Sequence, residues 1–431
     1  MTRYLRPKGI FCGQGLFGRV LGLFFLFILF KGEFNLSWAF PVVVAEAPGT
    51  NLSLNLGAIK SAKKNLLINI YEFTSKDIKD AIIERIHAGV QVKILEEGQP
   101  VGGFSAQARA VKEEIEAEMK QVSSKNLFLV MTSQEGVKRR FRFDHGKYIV
   151  IDDKSLLIGS ENYSPTGHPA KGAVGNRGWE ALLYNAPLAK QFSQIFESDS
   201  DTDHGDVIAF LINLFPSNLL TFFSESPWLQ VTGPGPLPRI NESDLSQEDT
   251  SVEPLVSGER LEASDVEKIT SPDTSLSGLL SLIENAHEKV DLELMTFDSN
   301  WGGPGHVSPL FEAVLAAARR GVEVRVLLND EEAFSPNDKS VKNSTTVNKL
   351  NSYARKERLQ LSAAIANLKA MGVRIIHNKG ALVDGDKTLI SSINWNANSV
   401  ENNRETAVVL TGRSVFDHYE AIFEQDWQAT Q

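Results

Sequence analysis

Two eight-residue stretches of the chain, HGKYIVID at His145–Asp152 and HNKGALVD at His377–Asp384, carry histidine, lysine and aspartate at the same three places. They lie 232 residues apart, and each is followed, 15 and 17 residues after its histidine, by a serine and an asparagine. One such triplet arises by accident in roughly a few per cent of chains of this length. Accident does not explain two copies that also share the following serine and asparagine at the same distances. The candidate site residues are His145, Lys147, Asp152, Ser160 and Asn162 in the first copy and His377, Lys379, Asp384, Ser392 and Asn394 in the second.

The match between the two halves extends upstream of these motifs. IKSAKKNLLINIYEF at Ile59–Phe73 recurs as IENAHEKVDLELMTF at Ile283–Phe297, and Asp80–Leu95 recurs as Glu312–Leu327. Between these matches the spacing changes from 224 to 232 residues, across a loop that contains WGGPGH at Trp301–His306. A repeat of this length indicates one structural unit that is present twice.

Each copy has the pattern of a lobe that mixes strands and helices. Apolar runs such as Leu66–Ile70 and Val90–Leu95 predict strands, and apolar residues at helical spacing between them, ended by Gly89, predict a helix. The short apolar runs after each motif histidine predict a hairpin. The sequence therefore predicts an α/β fold of two similar lobes, each a mixed β-sheet flanked by helices, packed as a pseudo-twofold dimer within one chain.

Composition divides the chain into four parts. Residues 1–39 are predicted to be a secretory signal peptide, 48–197 the first lobe, 198–262 a linker and 263–431 the second lobe. The linker is acidic at its start and rich in proline and serine further on, but it contains the apolar run VIAFLINLFPSNLLTFF at Val207–Phe223. This run is interpreted as a helix pair docked on a lobe, with a segment that lies in a lipid interface as the alternative.

The first forty residues have the features of a secretory signal peptide. Basic residues precede eleven residues of an apolar run, Val20–Phe30, and small residues at Ser37 and Ala39 suit a cleavage site, with Val43 and Ala45 as a second. A run of this length is short for a membrane span, which needs about 20 residues. We therefore expect a secreted or periplasmic protein, with an uncleaved N-terminal membrane anchor as the alternative.

Charge and cysteine content narrow the classes of function. The chain has 431 residues and a formal net charge of −10, which becomes −14 when residues 1–39 are removed. This acidic balance argues against a protein that coats nucleic acid through bulk charge. The single cysteine, Cys12, excludes an intrachain disulfide framework and a cysteine-built zinc site.

The paired motifs suit the chemistry of a phosphate group. Residues i and i+2 of a strand share a face, so the histidine and lysine of each motif project the same way. If the lobes pack about a pseudo-twofold axis, two imidazoles, two ammonium groups and four neutral polar groups converge. Such a set suits a phosphate, whereas two lysines would repel a metal ion. Histidines on opposite sides of one phosphorus suit in-line displacement, one as nucleophile and one as general acid.

Four carboxylates accompany the motifs. Asp152 and Asp384 lie at the far ends of their strands, beside the turn, and are interpreted as hydrogen-bonding residues that hold the hairpins. The carboxylate that orients each imidazole is sought instead at Glu180, in NRGWEALLY, and at Glu405, in NNRETAVVL. The alternative for each glutamate is a solvated residue at the end of a strand. The loop before the first of them, His168–Gly178, is seven residues longer than its counterpart.

The doubled HxKxxxxD motif, with (G/S)-S-x-N at a fixed distance, resembles the phospholipase D superfamily, over about residues 55–197 and 270–427. The resemblance implies a phosphodiesterase that needs no metal or other cofactor and works through a covalent phosphohistidine, at one site built by both lobes. It implies that His145 and His377 are nucleophile and acid/base, with His145 favoured as the nucleophile. By the same resemblance, Lys147, Asn162, Lys379 and Asn394 hold phosphate oxygens, Ser160 and Ser392 assist, and Glu180 and Glu405 contact the histidines.

The substrate is less narrowly indicated than the chemistry. Export, acidic charge and the apolar run at Val207–Phe223 favour a phospholipid at a membrane surface, cleaved on the headgroup side to give phosphatidic acid. The basic run KRRFRF at Lys138–Phe143, expected to form a strand that leads into His145, either follows a nucleic-acid backbone or is a solvated strand edge. The alternatives are an exported nuclease, a phosphatidyltransferase similar to cardiolipin synthases, and a non-catalytic phosphate-binding protein. No obligate protein partner is expected.

Overall fold

Two β-sheets form the framework of the described part of the chain, which comprises residues 39–210, 256–301, 305–334 and 342–431 of a computed structural model. The predicted signal peptide, apart from its last residue, lies outside the described residues. The first sheet contains β1 (Phe40–Ala47), β2 (Asn65–Ile70), β3 (Gln91–Glu97), β4 (Leu127–Met131), β5 (Tyr148–Ile151), β6 (Ser155–Gly159), β7 (Gly178–Leu183), β8 (Val207–Ala209) and β9 (Glu259–Ala263). The second contains β10 (Asp265–Ser271), β11 (Lys289–Leu294), β12 (Glu323–Leu328), β13 (Leu361–Ile365), β14 (Lys379–Val383), β15 (Lys387–Ser391) and β16 (Glu405–Thr411).

Seven strands follow the same order in both sheets. Within the described residues the first sheet runs β8-β4-β3-β2-β5-β6-β7-β1-β9 and the second runs β13-β12-β11-β14-β15-β16-β10. In the first, β2, β3 and β4 are parallel, and the strands from β5 to β1 are antiparallel neighbours. The second repeats this arrangement, with β11, β12 and β13 parallel. The prediction of two similar lobes with mixed sheets is therefore confirmed.

Helices connect the strands and cover the sheets. The helix α2 (Lys76–His87) begins after Ser75, whose side chain accepts a hydrogen bond from the N–H of Ile78, and it ends before Gly89, which has a φ of +83°. Among the described residues, no helix combines the length and the hydropathy that crossing a bilayer requires. The helices are α1 (Asn51–Ser61), α2 (Lys76–His87), α3 (Ala106–Val122), α4 (Ala186–Asp199), α5 (Ser275–Glu284), α6 (Pro309–Arg319), α7 (Glu331–Phe334), α8 (Asn343–Glu357), α9 (Leu368–Met371), α10 (Ala397–Glu401) and α11 (Arg413–Thr430).

Apolar cores hold these layers together. One core lies between the first sheet and α1, α2 and α3, and another between the second sheet and α5, α6 and α8. A third core contains side chains of both sheets together with α4 and α11. In it, Phe196 and Phe423 lie fully buried at equivalent places of the two lobes, and each such side chain contributes about 1.5–3 kcal/mol through burial. The lobes are thus joined by a shared apolar core.

Three strands lie outside the predicted lobe boundaries. β1 precedes the predicted start of the first lobe at residue 48, yet it lies between β7 and β9. β8 and β9 both fall in the predicted linker, and β8 pairs with β4. Residues Val207–Ala209 form a strand where the sequence favoured a helix, because a short apolar run fits either element and the free edge of β4 provides the hydrogen-bonding partner. The rest of the apolar run, residues 211–223, lies outside the described residues.

Candidate active site

The two motif histidines are each held by the opposite lobe. The backbone N–H of His145 donates to the carbonyl oxygen of Arg404 at 2.8 Å. The N–H of His377 donates in the same way to the carbonyl oxygen of Arg177, also at 2.8 Å. Each lobe therefore supplies the backbone hydrogen-bond acceptor for the motif histidine of the other lobe. The two arginines occupy equivalent positions in the two lobes.

Two buried ion pairs join the lobes through the side chains of the same arginines. Nε of Arg404 lies 2.8 Å from Oδ2 of Asp199, at the end of α4. Nε of Arg177 lies 2.6 Å from Oδ2 of Asp426, in α11. All four residues are buried, and a buried charge is tolerated only with a partner. Asp199, which the sequence assigned to an acidic linker, is a counterion between the lobes.

The two motif lysines lie buried beside the histidines. Nζ of Lys147 donates to the carbonyl oxygen of His145 at 2.8 Å, and Nζ of Lys379 donates to that of His377. Burial lowers the pKa of Lys147 to about 8. Burial, together with the charge of Lys147, lowers the pKa of Lys379 to about 7. Because the charge of Lys147 in the first lobe lowers the pKa of Lys379 in the second, the two motifs lie close enough to share one site.

Glu405, one of the two glutamates nominated from the sequence to orient a motif histidine, lies beside His145. Its Oε2 lies 2.7 Å from Nδ1 of His145 and accepts a hydrogen bond from Oγ of Ser392 at 2.7 Å, while Asn403 donates to its Oε1. Burial opposes ionisation of Glu405, but His145 and Lys147 outweigh it and lower the pKa of this carboxyl. Burial lowers the pKa of His145 to about 4. A neutral imidazole that donates its Nδ1–H to a carboxylate leaves the Nε2 lone pair for a substrate.

The carboxylate of Glu180, the second glutamate predicted to orient a motif histidine, contacts different residues. Its Oε1 lies 2.9 Å from Nε2 of His168, and the side-chain amides of Asn51 and Asn55 donate to it. His168 also lies 3.0 Å, through Nδ1, from the carbonyl oxygen of Asn162. Glu180 and His168 therefore form a buried pair behind the loop that carries Asn162, and the prediction for Glu180 was wrong.

Sheet register explains this error. Gly159 is paired with Glu180, whereas Ser391, its counterpart in the repeat, is paired with Ala407. Glu180 is therefore equivalent to Ala407 and not to Glu405. The longer loop of the first lobe allowed an alignment on the shared glutamate that is two residues out of register.

Glu161 lies beside His377 in the place expected for Glu180. Its Oε1 is 3.3 Å from Nδ1 of His377, and neither atom has a hydrogen-bond partner among the described residues. Its Oε2 accepts from Nδ2 of Asn176 at 3.0 Å. Burial opposes ionisation of Glu161, but His377 and Asn176 outweigh it and lower its pKa; burial and Lys379 lower the pKa of His377. Sequence reasoning missed Glu161, although an acidic residue inside the tetrapeptide GSEN was the available signal.

Asp152 and Asp384 hold the backbone at the far ends of the motif strands. Asp152 accepts from the N–H groups of residues 63–65 at 2.7–2.9 Å, and Asp384 from those of residues 287–289 at 2.8–3.0 Å. Both have a positive φ, of 54° and 52°, a conformation that aspartate tolerates. They tie each hairpin to the start of β2 or β11, which is the structural role that the sequence suggested.

The serines and asparagines lie where the hairpins return. Each serine Oγ accepts a hydrogen bond from a backbone N–H of the neighbouring strand, at 3.2 Å for Ser160 and 3.0 Å for Ser392. The Oδ1 atoms of Asn162 and Asn394 are buried and have no hydrogen-bond partner among the described residues. Leaving a buried polar atom unpaired costs about 1–3 kcal/mol. Two such atoms at equivalent places in one site suit contact with a bound ligand.

A family comparison agrees with this geometry. The family described as "Cardiolipin synthase, PLD-like domain" matches residues 56–200 and again residues 279–427, together more than half of the chain. The chain belongs to the phospholipase D superfamily. Each match contains one motif with its serine and asparagine, so each lobe is one phospholipase D-like domain.

Similar proteins of known name include two curated relatives and one solved structure. Mitochondrial cardiolipin hydrolase of Xenopus tropicalis is 28% identical over 156 residues, and that of Xenopus laevis is 25% identical over 156 residues. Each match covers 36% of this chain and 62% of the relative, so the chain spans less than two thirds of the length of these relatives. The crystal structure of phosphatidylserine synthase from Haemophilus influenzae superposes with a TM-score of 0.61, covers 92% of this chain and 90% of its own, and is 15% identical, which shows a shared fold.

A cavity of about 400 Å³ opens at the phospholipase D motifs. His377, Asn162, Glu72 and Arg374 are among the residues that line it. A larger cavity of about 740 Å³ lies beside α1, and its lining includes none of the motif residues. The smaller cavity is the candidate active site because His377 and Asn162, one motif residue from each lobe, line it, and its size is within the range of ligand pockets.

The basic run Lys138–Phe143 forms no strand, contrary to the prediction. Nη2 of Arg139 lies 2.6 Å from Oε2 of Glu97, and Nη2 of Arg140 lies 2.9 Å from Oδ1 of Asp206. Both acceptor carboxylates have fully buried side chains. These two arginines therefore neutralise buried carboxylates. The exposed basic side chains of the run are Lys138 and Arg142.

Carboxylates close enough to share a cation occur elsewhere in the described structure. In the described part of the chain, these carboxylates belong to Asp291, Glu420 and Glu424. Lys289 and Arg325 already form ion pairs with these carboxylates, at 2.6–3.6 Å. The cluster is thus part of an ion-pair network around the buried Asp291, and it includes none of the phospholipase D motif residues.

Anion binding at this site is expected to weaken as the pH rises through 7 and 8. An ordinary lysine stays charged to about pH 10, but burial lowers the pKa of Lys379 to about 7 and that of Lys147 to about 8. The charged form holds the anion, so affinity is present below these values and lost above them. Titration of sulfate binding from pH 5 to 9 checks this, because the charge of sulfate is constant there. An affinity that is the same at pH 6 and pH 9 would contradict it.

Proposed function

We propose that this protein is an exported, metal-independent phosphodiesterase of phospholipase D type, which hydrolyses the headgroup phosphodiester of phospholipids to phosphatidic acid. The observation that carries the proposal is a pair of motif imidazoles, that of His377 buried and that of His145 partly buried, each with a carboxylate of the opposite lobe beside Nδ1. Glu405 lies beside His145, and Glu161 lies beside His377. The two motif lysines supply positive charge for the non-bridging oxygens of a phosphate.

In the first step, the lone pair on Nε2 of His145 attacks phosphorus. The bond from phosphorus to the headgroup oxygen breaks, and that oxygen takes the proton from Nε2 of a protonated His377. The headgroup alcohol departs, and the phosphatidyl group remains bound to His145 through a phosphorus–nitrogen bond. In-line displacement needs the two imidazoles on opposite sides of phosphorus, and a site between two opposed lobes supplies that arrangement.

In the second step, His377 is neutral and takes a proton from water. The water oxygen forms a bond to phosphorus while the phosphorus–nitrogen bond breaks, and the electron pair returns to Nε2 of His145. Phosphatidic acid leaves, and His377 holds the proton that the next turnover needs. An alcohol in place of water would give transfer of the phosphatidyl group by the same step.

We assign His145 as the nucleophile because its carboxylate is held more firmly. Nδ1 of His145 is 2.7 Å from Glu405, whereas Nδ1 of His377 is 3.3 Å from Glu161. The imidazole that becomes bonded to phosphorus gains positive charge, so a fixed, ionised carboxylate stabilises it. The looser contact suits His377, which gains and loses a proton in every turnover.

A membrane surface as the location of the substrate is supported by the surroundings of the site. Among the described residues, the most exposed large apolar side chains are Val101, at 80%, and Val174, at 63%. The N–H of Val101 donates to Oη of Tyr71, whose ring centroid lies 4.6 Å from that of His145. Val174 lines the cavity beside α1 and stands two residues before Asn176, which lines the site cavity. The names of the family and of the curated relatives also refer to a phospholipid.

Export to the periplasm or medium is the part of the proposal that depends on the N-terminal sequence. Cleavage after Ala39 leaves the whole of β1 in place. Cleavage after Ala45 would remove most of this strand, which lies between β7 and β9. The first site is therefore favoured, and mass spectrometry of the protein recovered outside the cytoplasm tests it. An intact N-terminus in that protein would contradict cleavage and support a membrane anchor.

The experiment that tests the proposed activity compares substrates without divalent metal. Protein that begins at Phe40 is incubated in EDTA with phosphatidylglycerol vesicles and, in parallel, with single-stranded DNA; the His145→Ala protein serves as the blank. We expect glycerol and phosphatidic acid from the vesicles and intact DNA. Because the site uses imidazoles and lysines of the chain, we expect EDTA to leave the rate unchanged.

Each other outcome points to a different activity. Cleaved DNA with intact lipid would make the protein a nuclease, with the two exposed basic residues of Lys138–Phe143 as candidate backbone contacts. Cardiolipin as the main product would make it a phosphatidyltransferase that uses a second lipid as acceptor. Activity that EDTA abolishes and Mg²⁺ or Zn²⁺ restores would contradict the mechanism, and no turnover of any diester would contradict the proposed function.

A further inference from the structure

The two lobes have the same strand arrangement, but the carboxylate that orients a histidine comes from a different strand position in each. The N–H of Ser160 donates to the carbonyl oxygen of Trp179 at 3.1 Å, and the N–H of Ser392 donates to that of Thr406 at 3.0 Å. These equivalent bonds set the register between the end of each hairpin and the neighbouring strand. In this register Glu161 of the first lobe is equivalent to Ile393 of the second. Gly178 of the first lobe is equivalent to Glu405 of the second.

A side chain at position 178 would need the room that Glu161 takes. A Cβ built on Gly178 would lie 2.7 Å from Cγ of Glu161 and 2.6 Å from Oγ of Ser160, both well inside van der Waals contact. In the second lobe the first position holds the apolar Ile393, and the carboxylate comes from Glu405. Each lobe thus places one carboxylate on the histidine of the other, and the two lobes use opposite positions for it.

We propose that Glu161 is the positioning residue for His377, and that position 178 must be glycine to leave room for it. The glutamate thus stands at the first of two neighbouring positions in the first lobe and at the second of them in the second lobe. The inference rests on the proposed function and deepens it. Oε1 of Glu161 and Nδ1 of His377 lie 3.3 Å apart, both buried, and each lacks a hydrogen-bond partner among the described residues. Asn176 fixes the other carboxylate oxygen at 3.0 Å. A carboxylate at Nδ1 directs Nε2 toward the substrate and stabilises the protonated ring.

The assignment predicts which substrates depend on Glu161. His377 protonates the leaving oxygen, so its protonated form matters for a poor leaving group such as an alkoxide and much less for nitrophenolate. Glu405 acts on the nucleophile, and the nucleophile is needed for every leaving group. The two carboxylates are therefore distinguished by leaving-group dependence, which a purely structural role of Glu161 would not produce.

The test measures the release of the leaving group in the first turnover. Glu161→Gln, which keeps the size of the side chain, is expected to slow release from an alkyl phosphodiester by about 10²–10⁴-fold and from a nitrophenyl phosphodiester by less than about tenfold. The matched variant Glu405→Gln is expected to slow both. Equal slowing of both substrates by Glu161→Gln, or rates equal to wild type, would overturn the assignment.

A double variant transplants the arrangement of the second lobe into the first. Glu161→Ile with Gly178→Glu restores one carboxylate and one apolar side chain at the same two positions. We expect alkyl release to return to within about tenfold of wild type, since a carboxylate again faces Nδ1 of His377. A folded double variant that stays as slow as Glu161→Gln would overturn the claim that the two positions are interchangeable.

A spectroscopic measurement separates this inference from the proposed function. With ¹⁵N-labelled histidine, and His377→Ala for assignment, the pKa and tautomer of His377 are compared in wild type and in Glu161→Gln. Glu161 raises the pKa of His377 against the effect of burial, so its loss should move the titration to lower pH. An unchanged pKa and tautomer would overturn the inference. Absence of phosphodiester cleavage by wild type would count against the proposed function alone, because this readout needs no turnover.

Discussion

Replacement of either His145 or His377 by alanine is expected to reduce turnover of a phosphodiester by about 10⁴-fold or more. In the proposed mechanism the two imidazoles act on the same phosphorus, one by forming a bond to it and the other by moving the proton of the leaving oxygen and of water. Their backbone N–H groups are held by opposite lobes, at Arg404 and Arg177, so neither lobe has a complete site. The double variant should be about as slow as the slower single variant, because residues that act as a unit are not additive.

His204 provides the control for these variants. It is exposed, in the turn Thr202–His204, and His204→Ala is expected to keep the wild-type rate. Rates are measured with one alkyl phosphodiester under saturating conditions, after thermal unfolding has shown that each variant is folded. If His145→Ala or His377→Ala retained activity within about tenfold of wild type, the two motifs would not form one site.

Arg404→Met is expected to lower the free energy of unfolding by about 3–5 kcal/mol, the range for breaking a buried ion pair from one side. Nε of Arg404 lies 2.8 Å from Oδ2 of Asp199, and the substitution leaves this carboxylate buried without its cation. The guanidinium carbon of Arg404 also lies 4.2 Å from the ring centroid of Phe141, and that contact disappears as well. Since the pair joins the two lobes, activity should fall together with stability.

Two variants separate the charge effect from general damage. Arg404→Met combined with Asp199→Leu removes both charges and should be more stable than Arg404→Met alone, because no unpaired carboxylate is left. Arg319→Met breaks the exposed pair with Glu357, at 2.7 Å, and should cost far less than Arg404→Met, because solvent screens an exposed pair. Urea unfolding measures all three. A loss for Arg404→Met no larger than that for Arg319→Met would show that the buried pair does not support the contact between the lobes.

Features that repeat along the chain could be predicted from the sequence. The strands of both lobes are apolar runs separated by helical patterns and turn residues, and the copies confirm each other, so the two similar mixed sheets follow from local patterns. The same holds for His145, His377 and the two lysines, which share spacing and strand face. Asp152 and Asp384 were also placed at the turns, since they stand beside turn residues at the ends of short apolar strands.

Contacts that depend on register or on docking of the lobes could not be predicted. Glu180 was chosen by alignment of a glutamate across loops of different length, and sheet pairing shows that it is equivalent to Ala407. Glu161 lay in a motif position without an assigned role, and its carboxylate reaches His377 only across the contact between the lobes. The ion pairs of Arg177 and Arg404 form between residues more than 200 positions apart, and local sequence carries no signal for such a pair.

The strand β1 illustrates a further limit. Residues Phe40–Ala47 directly follow the predicted signal peptide, and a sequence pattern that marks the end of one element does not show that the next residues enter a sheet. In the structure they are paired on both sides, with β7 and with β9. The partner β9 is more than 200 residues away in the chain, so this placement depends on long-range pairing rather than on local propensity.

The most direct test of the central claim is the capture of the covalent intermediate in the His377→Ala protein. A nitrophenyl phosphodiester has a leaving group that departs without a general acid, so His145 can still attack, whereas hydrolysis of the intermediate lacks its base. Once nitrophenolate release has levelled off, the protein is quenched in alkali and digested, and its peptides are analysed by mass spectrometry. We expect one phosphoryl adduct per chain on the peptide that contains His145, stable in alkali and lost in acid. An adduct on another residue, or no adduct while wild type cleaves the same substrate, would contradict it.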